Sequence, residues 1–480
     1  MLFISTRGNT RPYSFRQTVM AGLAPDGGLF MPQTLPDVRG RLEEWKDLSF
    51  QDLCLEIISL FTEDEIPREE LKGLIDKSYR VFDDPSIIPV KRVGDLFIAE
   101  QFHGPTLAFK DLALQFLGNL FEYLLADSQD RLTILGATSG DTGSAAIHAL
   151  RGKKGIEVFI LHPKGRVTPI QELQMTTVVD PNIHNLALLG SFDEAQAIVK
   201  GLFNKAGFRD KFRLGAVNSI NWVRVMVQMV FFFHAYFRLV KQPAEAMPGG
   251  KKLNLGNPVR FAVPTGNFGH ILAGHLARGM GLPVAKLVLA TNANDNLHRF
   301  LSTGVYAHLN TQHTISPSMD IQVASNFERY LYELAGRDSQ TLKNWLNDFE
   351  SKGRLVLPDD RLTAMREEFS SASVDDGAIL ETIKSTYEQT GYLLDPHTAV
   401  GVRAALTTAE GGSGPQVPTV CMATAHPAKF GEAITQAIGK EPPLPPALAK
   451  LADMETRKTE LPATLEAVEK QMRQTLESTV

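Results

Sequence analysis

The chain has 480 residues, 43% hydrophobic and 21% charged, which is enough for about three domains of roughly 150 residues each. Its 49 Lys and Arg against 54 Asp and Glu give a formal charge of -5, so no cationic excess is present to bind a nucleic-acid backbone. Its two cysteines, Cys54 and Cys421, are too few for a disulfide framework. The first residues lack the pattern of a signal or transit peptide, and we therefore expect a cytoplasmic protein with no nucleic-acid or membrane partner.

Four regions are predicted along the chain. Residues 1–90 combine turn motifs with acidic helical runs and are predicted to form a helical N-terminal region. Short apolar segments then alternate with helical periodicity, which is typical of βα units and parallel sheets. We predict a smaller α/β domain at 91–245 and a larger one at 246–440, joined through a polar segment rich in Gly and Pro. Residues 441–480 are predicted to form a linker and a short amphipathic helix.

Several elements can be placed within these regions. Ser191 and Glu194 have capping-box spacing and predict a helix start. The apolar stretch between Arg224 and Arg238 is too short to span a bilayer and predicts a buried helix. Seven apolar segments are predicted to be strands. They are LFIAEQF before His103, LTILGATS at 132–139, VFILHP at 158–163, HNLALLG at 184–190, RFAVPTG at 260–266, KLVLATN at 286–292 and TVCMAT at 419–424.

Common catalytic signatures are absent from the sequence. No GxGxxG follows a strand, and there is no GxxxxGK[ST], HExxH or CxxC motif. A nicotinamide dehydrogenase, a P-loop kinase and a zinc hydrolase are therefore disfavoured, and no metal site is predicted.

The segment HGPTLAFKDLALQFLGNL contains the first candidate group, Lys110, in the first turn of a predicted helix. The partial positive charge of a helix amino end disfavours a second cation and lowers the pKa of an amine, which favours the neutral nucleophile needed for a Schiff base. The alternative is an exposed lysine paired with Asp111. The apolar neighbours Leu107 and Phe109 weigh against this alternative.

Two glycine loops follow predicted strands and open into helices. In GATSGDTGSAA, at 136–146, glycines and hydroxyl side chains precede a helix whose free N–H groups can hold an anion. In VPTGNFGHILAGHLA, at 263–277, no Lys or Arg is present, which favours a main-chain cradle for phosphate. Taken alone, each segment is equally compatible with a structural turn.

These motifs occur in one order with several others. AFKDLA, TSGDTGSAA and PTGNFG closely resemble the pyridoxal-phosphate enzymes of the tryptophan synthase beta-subunit group, and within it the bacterial and fungal threonine synthases. The resemblance extends over nearly the whole chain and includes APDGGLFMP, NSINWVRVMVQM, SMDIQVASNFER and TAHPAKF. It implies pyridoxal-phosphate fold type II, an α/β class with two open, parallel-rich domains.

The resemblance also implies roles for individual residues. Lys110 would form the Schiff base with pyridoxal 5'-phosphate, and Thr424 would place its hydroxyl beside the pyridine nitrogen. Asp141 stands where many enzymes of the wider group have Asn against the phenolic oxygen, so it would be protonated, share a proton or face the substrate. The cofactor phosphate would be held by Gly266, Asn267, Phe268, Gly269 and His270.

A substrate with its own phosphate needs a second anion site. Donors from the matched segments are expected to converge at the strand ends of an open sheet. For Arg224 the alternative is a solvated charge at a helix start, and for Lys164 it is a loop residue that follows HP. For His103 and His270 a structural role is favoured over acid-base work. The candidates for this second site are Ser139, Thr142, Lys164, Asn221 and Arg224.

The resemblance implies a carbon-oxygen lyase acting on phosphates. Such an enzyme converts O-phospho-L-homoserine and water to L-threonine and phosphate, the last step of threonine biosynthesis, with Lys110 as base. Two alternatives stay open: a related phospholyase that yields 2-oxobutyrate, and a noncatalytic protein that binds an amino acid or phosphate on the same scaffold. A monomer or homodimer is expected.

Overall fold

The computed structural model describes residues 1–8, 11–126, 131–138, 140–409 and 417–478. Within these ranges the strands are β1 Phe3–Ser5, β2 Phe30–Pro32, β3 Val90–Val93, β4 Leu96–Glu100, β5 Leu132–Ala137, β6 Ile156–Pro163, β7 Ile183–Leu189, β8 Leu214–Gly215, β9 Val259–Pro264, β10 Val284–Thr291, β11 Val305–Ala307, β12 Arg354–Val356, β13 Phe369–Ser373, β14 Thr419–Ala423 and β15 Thr459–Pro462.

The helices lie between these strands in chain order. In the same ranges they are α1 Phe15–Ala21, α2 Leu42–Trp45, α3 Phe50–Thr62, α4 Arg68–Tyr79, α5 Lys110–Leu125, α6 Asp141–Leu150, α7 Pro169–Thr176, α8 Phe192–Asn204, α9 Ala206–Phe212, α10 Trp222–Val240, α11 Gly269–Gly279, α12 Asn296–Thr303, α13 Phe327–Leu334, α14 Ser339–Lys352, α15 Asp359–Glu368, α16 Asp376–Thr390, α17 Pro396–Ala409, α18 Gly431–Ile438, α19 Pro446–Ala449 and α20 Leu465–Ser478.

Two sheets organise the α/β part of the chain. One has six strands in the order β13-β10-β9-β14-β4-β3, and all neighbours are parallel except β3 and β4. The other has five parallel strands in the order β15-β7-β6-β5-β8. The predicted α/β class is confirmed, and each of the seven predicted strands is present. Strand β13 was not predicted because its sequence, FSSAS, is too polar to suggest a strand before its pairing with β10 is known.

Sheet membership departs from the predicted domain boundaries at two places. Strand β4, which falls in the predicted smaller domain, and strand β3, which spans its first boundary, pair into the six-stranded sheet through β14. Strand β15, which falls in the predicted C-terminal linker, pairs with β7 in the five-stranded sheet. The N-terminal region is also not purely helical, since β1 and β2 form an antiparallel pair. The division into domains stays a proposal, and these pairings would revise its limits.

Helix α10 is buried along nearly its whole length. Its length and composition would suffice to cross a membrane, but 89% of its 18-residue apolar stretch is buried inside the fold. Its residues join the largest core cluster, which also takes in side chains from α3, α5 and α11. Burial on all sides explains a helix without a polar face, as predicted from the sequence.

Local signals for two other helices are also confirmed. Helix α8 begins with the predicted capping box. The Ser191 hydroxyl accepts from the Glu194 N–H, and the Glu194 carboxylate accepts from the Ser191 N–H. Helix α20 buries the apolar stripe of Val468, Met472 and Leu476 against β6, β7 and α8. The C-terminal segment is thereby attached to the five-stranded sheet.

Candidate active site

The site is built at the carboxyl ends of parallel strands, where ligands bind in open α/β sheets. Helix α5 follows β4 and begins at Lys110, helix α6 follows β5 and begins at Asp141, and helix α11 follows β9 and begins at Gly269. Thr424 comes directly after β14. Loops that are far apart in the sequence are thus brought to one region of the molecule.

The loop before Lys110 is held by main-chain bonds to the segment after β14. The Phe109 N–H donates to the Thr424 carbonyl at 2.8 Å, and the His426 N–H donates to the Leu107 carbonyl at 3.1 Å. Leu107 itself has a left-handed backbone, with φ of 57°. This turn fixes the start of α5, so that Lys110 directly follows the residue whose main chain contacts the predicted cofactor partner Thr424.

Asp111 reinforces the same turn instead of pairing with Lys110 at the surface. Its carboxylate is fully buried and accepts bonds from the Thr106 N–H at 2.8 Å and the Thr106 hydroxyl at 2.7 Å. Burial raises the pKa of Asp111 to about 6, although the Thr106 bonds oppose this change. The alternative reading of an exposed Lys110–Asp111 pair is therefore wrong.

Lys110 is an amine with a perturbed pKa. Its side chain is 13% exposed. Burial lowers its pKa to about 8, the charges of Arg224 and Lys429 act in the same direction, and Asp141 opposes them. Burial, and not the helix end alone, is thus the main cause of the lowered pKa that the sequence predicts. A substantial fraction of such an amine is neutral near physiological pH, as a nucleophile or base requires.

Asp141 lies between two amines. Its Oδ2 atom is 4.0 Å from the Lys110 Nζ atom, and its Oδ1 atom is 2.6 Å from the Lys429 Nζ atom. Gln171 Nε2 donates to Oδ1 at 2.9 Å, and the Ser318 hydroxyl donates to Oδ2 at 3.3 Å. Burial would raise the pKa of Asp141, but the charges of Lys429 and Lys110 hold it below its usual range. These surroundings favour the carboxylate over the protonated and proton-sharing alternatives.

Lys429 was not predicted from the sequence. It lies in the short 3-10 turn Pro427–Phe430, with its side chain fully buried. The available signal was its position in TAHPAKF, a matched segment immediately after strand β14. Its burial could not be read from that position. A buried charged group needs a partner, which for Lys429 is Asp141.

The second glycine loop presents its main chain to the site. Phe268 precedes α11 with a left-handed φ of 64° and gives the helix no side-chain cap. A Cβ atom on Gly266 would lie 3.1 Å from the Ser318 carbonyl oxygen, and one on Gly269 would lie 3.2 Å from Asn326 Nδ2. Asn267 is tied to the neighbouring segment, since its Oδ1 atom accepts from the Ser325 hydroxyl at 3.0 Å. Uncapped N–H groups at a helix start suit a phosphate.

His270 belongs to the same loop and packs against the Lys110 turn. Its ring stacks on Phe109, with centroids 5.0 Å apart and an angle of 14° between the planes. Burial lowers the pKa of His270 to about 3, so the ring is neutral, and its Nδ1 atom has no hydrogen-bond partner. A neutral ring that packs against Phe109 supports a structural role for the side chain. The main-chain N–H of His270 stays part of the predicted phosphate cradle.

The residues present fit pyridoxal phosphate on chemical grounds. A buried amine of lowered pKa is suited to bond with an aldehyde. The glycine loop supplies a main-chain cradle without a side-chain cap. Thr424 is 7% exposed, and its main chain connects the Lys110 turn to Thr398, whose hydroxyl accepts from the Thr424 N–H at 3.2 Å.

The candidates for a second anion site are placed differently from one another. Arg224 is only 4% exposed, and its Nε atom has no hydrogen-bond partner, so the reading of an exposed charge is wrong. Burial lowers its pKa to about 10, well above neutral pH. Thr142 is partly exposed in the first turn of α6. Ser139 lies outside the described residues.

Two further candidates are engaged elsewhere. Asn221 caps α10 by accepting from the Val223 N–H at 3.1 Å, and its amide donates to the Val19 carbonyl at 3.0 Å. The Lys164 amine is 2.7 Å from Glu460 on β15, and both side chains are 44% exposed. The structure therefore explains Asn221 as a helix cap and Lys164 as half of a surface ion pair.

His103 also has a structural partner. Its Nε2 atom is 2.9 Å from Glu100 Oε2, and the same carboxylate lies 3.0 Å from the Lys91 amine and accepts from the Tyr392 hydroxyl at 2.7 Å. This network lies at the end of β4 and agrees with the structural role favoured from the sequence.

Comparison with known proteins identifies the family of the chain. The chain matches family models described as threonine synthase N terminus at residues 2–79, pyridoxal-phosphate dependent enzyme at 87–345 and threonine synthase, C-terminal, at 398–472.

Individual relatives match over most of their length. The chain is 46% identical to threonine synthase from Pseudomonas aeruginosa, covering 98% of this chain and 97% of that protein. It is 46% identical to threonine synthase from Schizosaccharomyces pombe, covering 91% and 89%. A crystal structure of pyridoxal-phosphate-bound threonine synthase from Brucella melitensis superposes with a TM-score of 0.92 at 41% identity, covering 99% of both chains. The chain therefore belongs to the threonine synthase family of pyridoxal-phosphate-dependent enzymes.

Proposed function

We propose that this protein converts O-phospho-L-homoserine and water to L-threonine and phosphate. The observation that carries the proposal is the buried amine of Lys110, which faces the Asp141 carboxylate at 4.0 Å within a chain of the threonine synthase family. When bound, pyridoxal phosphate delocalises the negative charge that remains after a proton leaves the substrate. Lys110 is the residue that would bond to its aldehyde.

Other residues would orient the cofactor. The main-chain N–H groups of the loop from Gly266 to His270 would bind its phosphate, because this helix start has no side-chain cap. The Thr424 hydroxyl would lie beside the pyridine nitrogen, and a hydroxyl partner leaves that nitrogen essentially neutral. The stacked rings of Phe109 and His270 connect the Lys110 turn to the phosphate loop, so both ends of the cofactor site are held in one packed unit.

Lys110 is proposed to move protons at its Nζ atom. Because its pKa is lowered to about 8, the amine can accept a proton from a substrate carbon and return it later at similar pH. The ammonium group formed in this way would be stabilised by Asp141 at the adjacent position. Burial of the amine limits competition from bulk water at this step.

The second anion is assigned to Arg224 with the first turn of α6. Arg224 is buried with an unpartnered Nε atom, and its charge acts on the pKa of Lys110, so the two groups share one region. A guanidinium binds phosphate or carboxylate through paired N–H bonds. Thr142 and Ser139 stay proposed hydroxyl donors. Asn221 and Lys164 are weaker proposals, because binding would require each to give up bonds it already makes.

Product analysis tests the function directly. Purified protein supplied with pyridoxal phosphate and O-phospho-L-homoserine is expected to release L-threonine and phosphate in equal amounts, quantified by chromatography and a phosphate assay. Phosphate accompanied by 2-oxobutyrate would identify the phospholyase alternative. Binding without release of phosphate would identify a noncatalytic protein. A place in threonine biosynthesis, a cytoplasmic location and a monomeric or homodimeric state stay predictions from the sequence and the family.

A further inference from the structure

A second lysine is built into the candidate site. The Lys429 amine is 2.6 Å from Asp141 Oδ1 and donates to the Thr106 carbonyl at 2.7 Å. Thr106 belongs to the turn that precedes Lys110, and its side chain is clamped by Asp111. Lys429 thus joins the carboxylate at the start of α6 to the turn that carries the proposed catalytic amine.

The two oxygens of Asp141 have different partners. Oδ1 lies 2.6 Å from the Lys429 amine and accepts a hydrogen bond from Gln171 at 2.9 Å. Oδ2 accepts from the Ser318 hydroxyl at 3.3 Å and lies 4.0 Å from the Lys110 amine. The closest charged contact is therefore made with the lysine that has no proposed bond to the cofactor. Lys110 faces the oxygen with the longer and weaker contacts.

We propose that Lys429 is a positioning residue that keeps Asp141 as a carboxylate and neutralises it, so that the Lys110 amine can alternate between its charged and neutral forms. Without Lys429 the buried carboxylate would have Lys110 as its closest cationic partner. The cost of an unpaired buried charge would then hold Lys110 in its charged form. With Lys429 present, the carboxylate stays neutralised whichever form Lys110 takes. This inference rests on the proposed role of Lys110.

The charges around Lys110 agree with this arrangement. Asp141 from α6 and Asp111 from α5 favour the charged amine, whereas Arg224 from α10 and Lys429 from the 3-10 turn disfavour it. Removal of Lys429 takes away one repulsive charge and leaves Asp141 free to pair with Lys110. Removal of the Asp141 charge has the opposite effect. The two substitutions therefore move the pKa of Lys110 in opposite directions, which a general loss of structure would not do.

Competitive acetylation of the full-length chain, freed of cofactor, measures the ionisation of Lys110 without turnover. The rate at which acetic anhydride labels the Lys110 peptide is followed against pH by mass spectrometry. For Lys429→Met we expect the labelling profile to move up by about one pH unit, which is about tenfold slower labelling at pH 7. For Asp141→Asn we expect a move to lower pH. Lys429→Arg is expected to keep the wild-type profile.

Matched variants make the outcome decisive. Lys205→Met removes a lysine from an ion pair with Glu469 at the surface, where the two groups are 2.7 Å apart, and is expected to change nothing. The double variant Asp141→Asn with Lys429→Met removes both charges together. If Lys429→Met does not fold, Asp141→Asn and the double variant carry the test, with the double variant expected to show a higher labelling pH than Asp141→Asn.

Unchanged profiles, or movement in the same direction for Lys429→Met and Asp141→Asn, would overturn the inference. An unchanged profile in the double variant relative to Asp141→Asn would also overturn it. The labelling measures the ionisation of Lys110 and not turnover, so failure of this inference and failure of the proposed function are distinguishable. If the protein makes no threonine but the profiles move as expected, the proposed function fails and the effect of Lys429 on Lys110 stands. If threonine is made normally and the profiles are unchanged, only the role of Lys429 fails.

Discussion

The loop between β9 and α11 and the loop between β5 and α6 share one sequence pattern, a strand followed by glycines and a helix, but meet their surroundings differently. The first loop offers the uncapped main-chain N–H groups that follow Phe268, and no Lys or Arg lies between Arg260 and Arg278. The second begins its helix with Asp141, which is bound to Lys429 and faces Lys110. A main-chain cradle depends on local backbone geometry, whereas a charged site depends on partners that are distant in the sequence.

Loss of the amine that faces the second loop should give the largest effect. For Lys110→Ala we expect kcat to fall about 1000-fold or more, because the proposed base is removed. Cofactor retention through the β9–α11 loop is expected to be weakened but measurable. Steady-state product analysis measures the rate. In the wild type an absorbance band near the visible edge should disappear with borohydride and leave its label on Lys110.

The surface variant Lys205→Met again serves as the control for loss of a lysine, since its partner Glu469 lies on α20, away from the site. A near-native rate for Lys110→Ala would exclude this residue as the base. Borohydride labelling at another lysine would exclude it as the attachment point.

Loss of the buried arginine should reduce the rate less than loss of Lys110 does, and it should not lower stability. For Arg224→Leu we expect kcat/KM to fall about 100-fold, because an anionic group of the substrate loses a charged donor. The melting temperature should stay equal or rise, because the substitution removes a buried charge with an unpartnered Nε atom. Enzyme kinetics and thermal unfolding measure the two quantities.

Arg238 provides the matched control on the same helix. It lies in the last turn of α10, and its Nε atom contacts His234. Arg238→Leu is expected to leave kcat/KM unchanged. Equal losses of activity in the two variants, or strong destabilisation by Arg224→Leu with native kcat/KM, would assign Arg224 a purely structural role.

Alanine substitutions in the two glycine loops should have the smallest effects and should distinguish the main-chain site from the charged site. Gly269→Ala brings a Cβ atom within 3.2 Å of Asn326 Nδ2, so we expect about tenfold weaker cofactor binding with little change in unfolding free energy. Gly143→Ala brings one within 2.4 Å of Thr138 Cγ2, and we expect about 1–3 kcal/mol of destabilisation. Cofactor titration and urea unfolding measure these effects. Gly73→Ala is the control, because Gly73 is exposed on α4 and a Cβ atom there would have no heavy atom within 4 Å.

The opposite result for Gly269→Ala would contradict a cofactor role for its loop. If Gly269→Ala lowered the unfolding free energy by the larger amount and left cofactor binding intact, the β9–α11 loop would be a packing element. The sequence resemblance would then have assigned it the wrong task.

Much of the fold was predictable because its signals are local. Apolar runs ending in Gly, Ser or Thr located the seven main strands, and the Ser191–Glu194 spacing located a helix start. Strand β13 was not predictable, because its polar residues gain their strand character only from pairing with β10. The same limit applied to β15, whose partner β7 lies far away in the sequence.

The candidate site divides in the same way. The position of Lys110 at a helix start and the neutral loop before α11 were both readable from short motifs. The lowering of the Asp141 pKa was not readable, because it depends on Lys429 from a distant segment. The ion pair of Lys164 with Glu460 was also unreadable, since it follows from the pairing of β15 beside β7.

The sequence by itself determined the α/β class and the family, and it supplied the proposals of a Schiff-base lysine and an anion cradle, because each depends on residue order or on backbone conformation within a short segment. Only the tertiary structure decided which charges meet. The pKa of Lys110 is set by burial together with Arg224, Lys429 and Asp141, which come from separate elements. Electrostatic interactions act through space and not along the chain, so the protonation of this site emerges only when the fold brings those elements together.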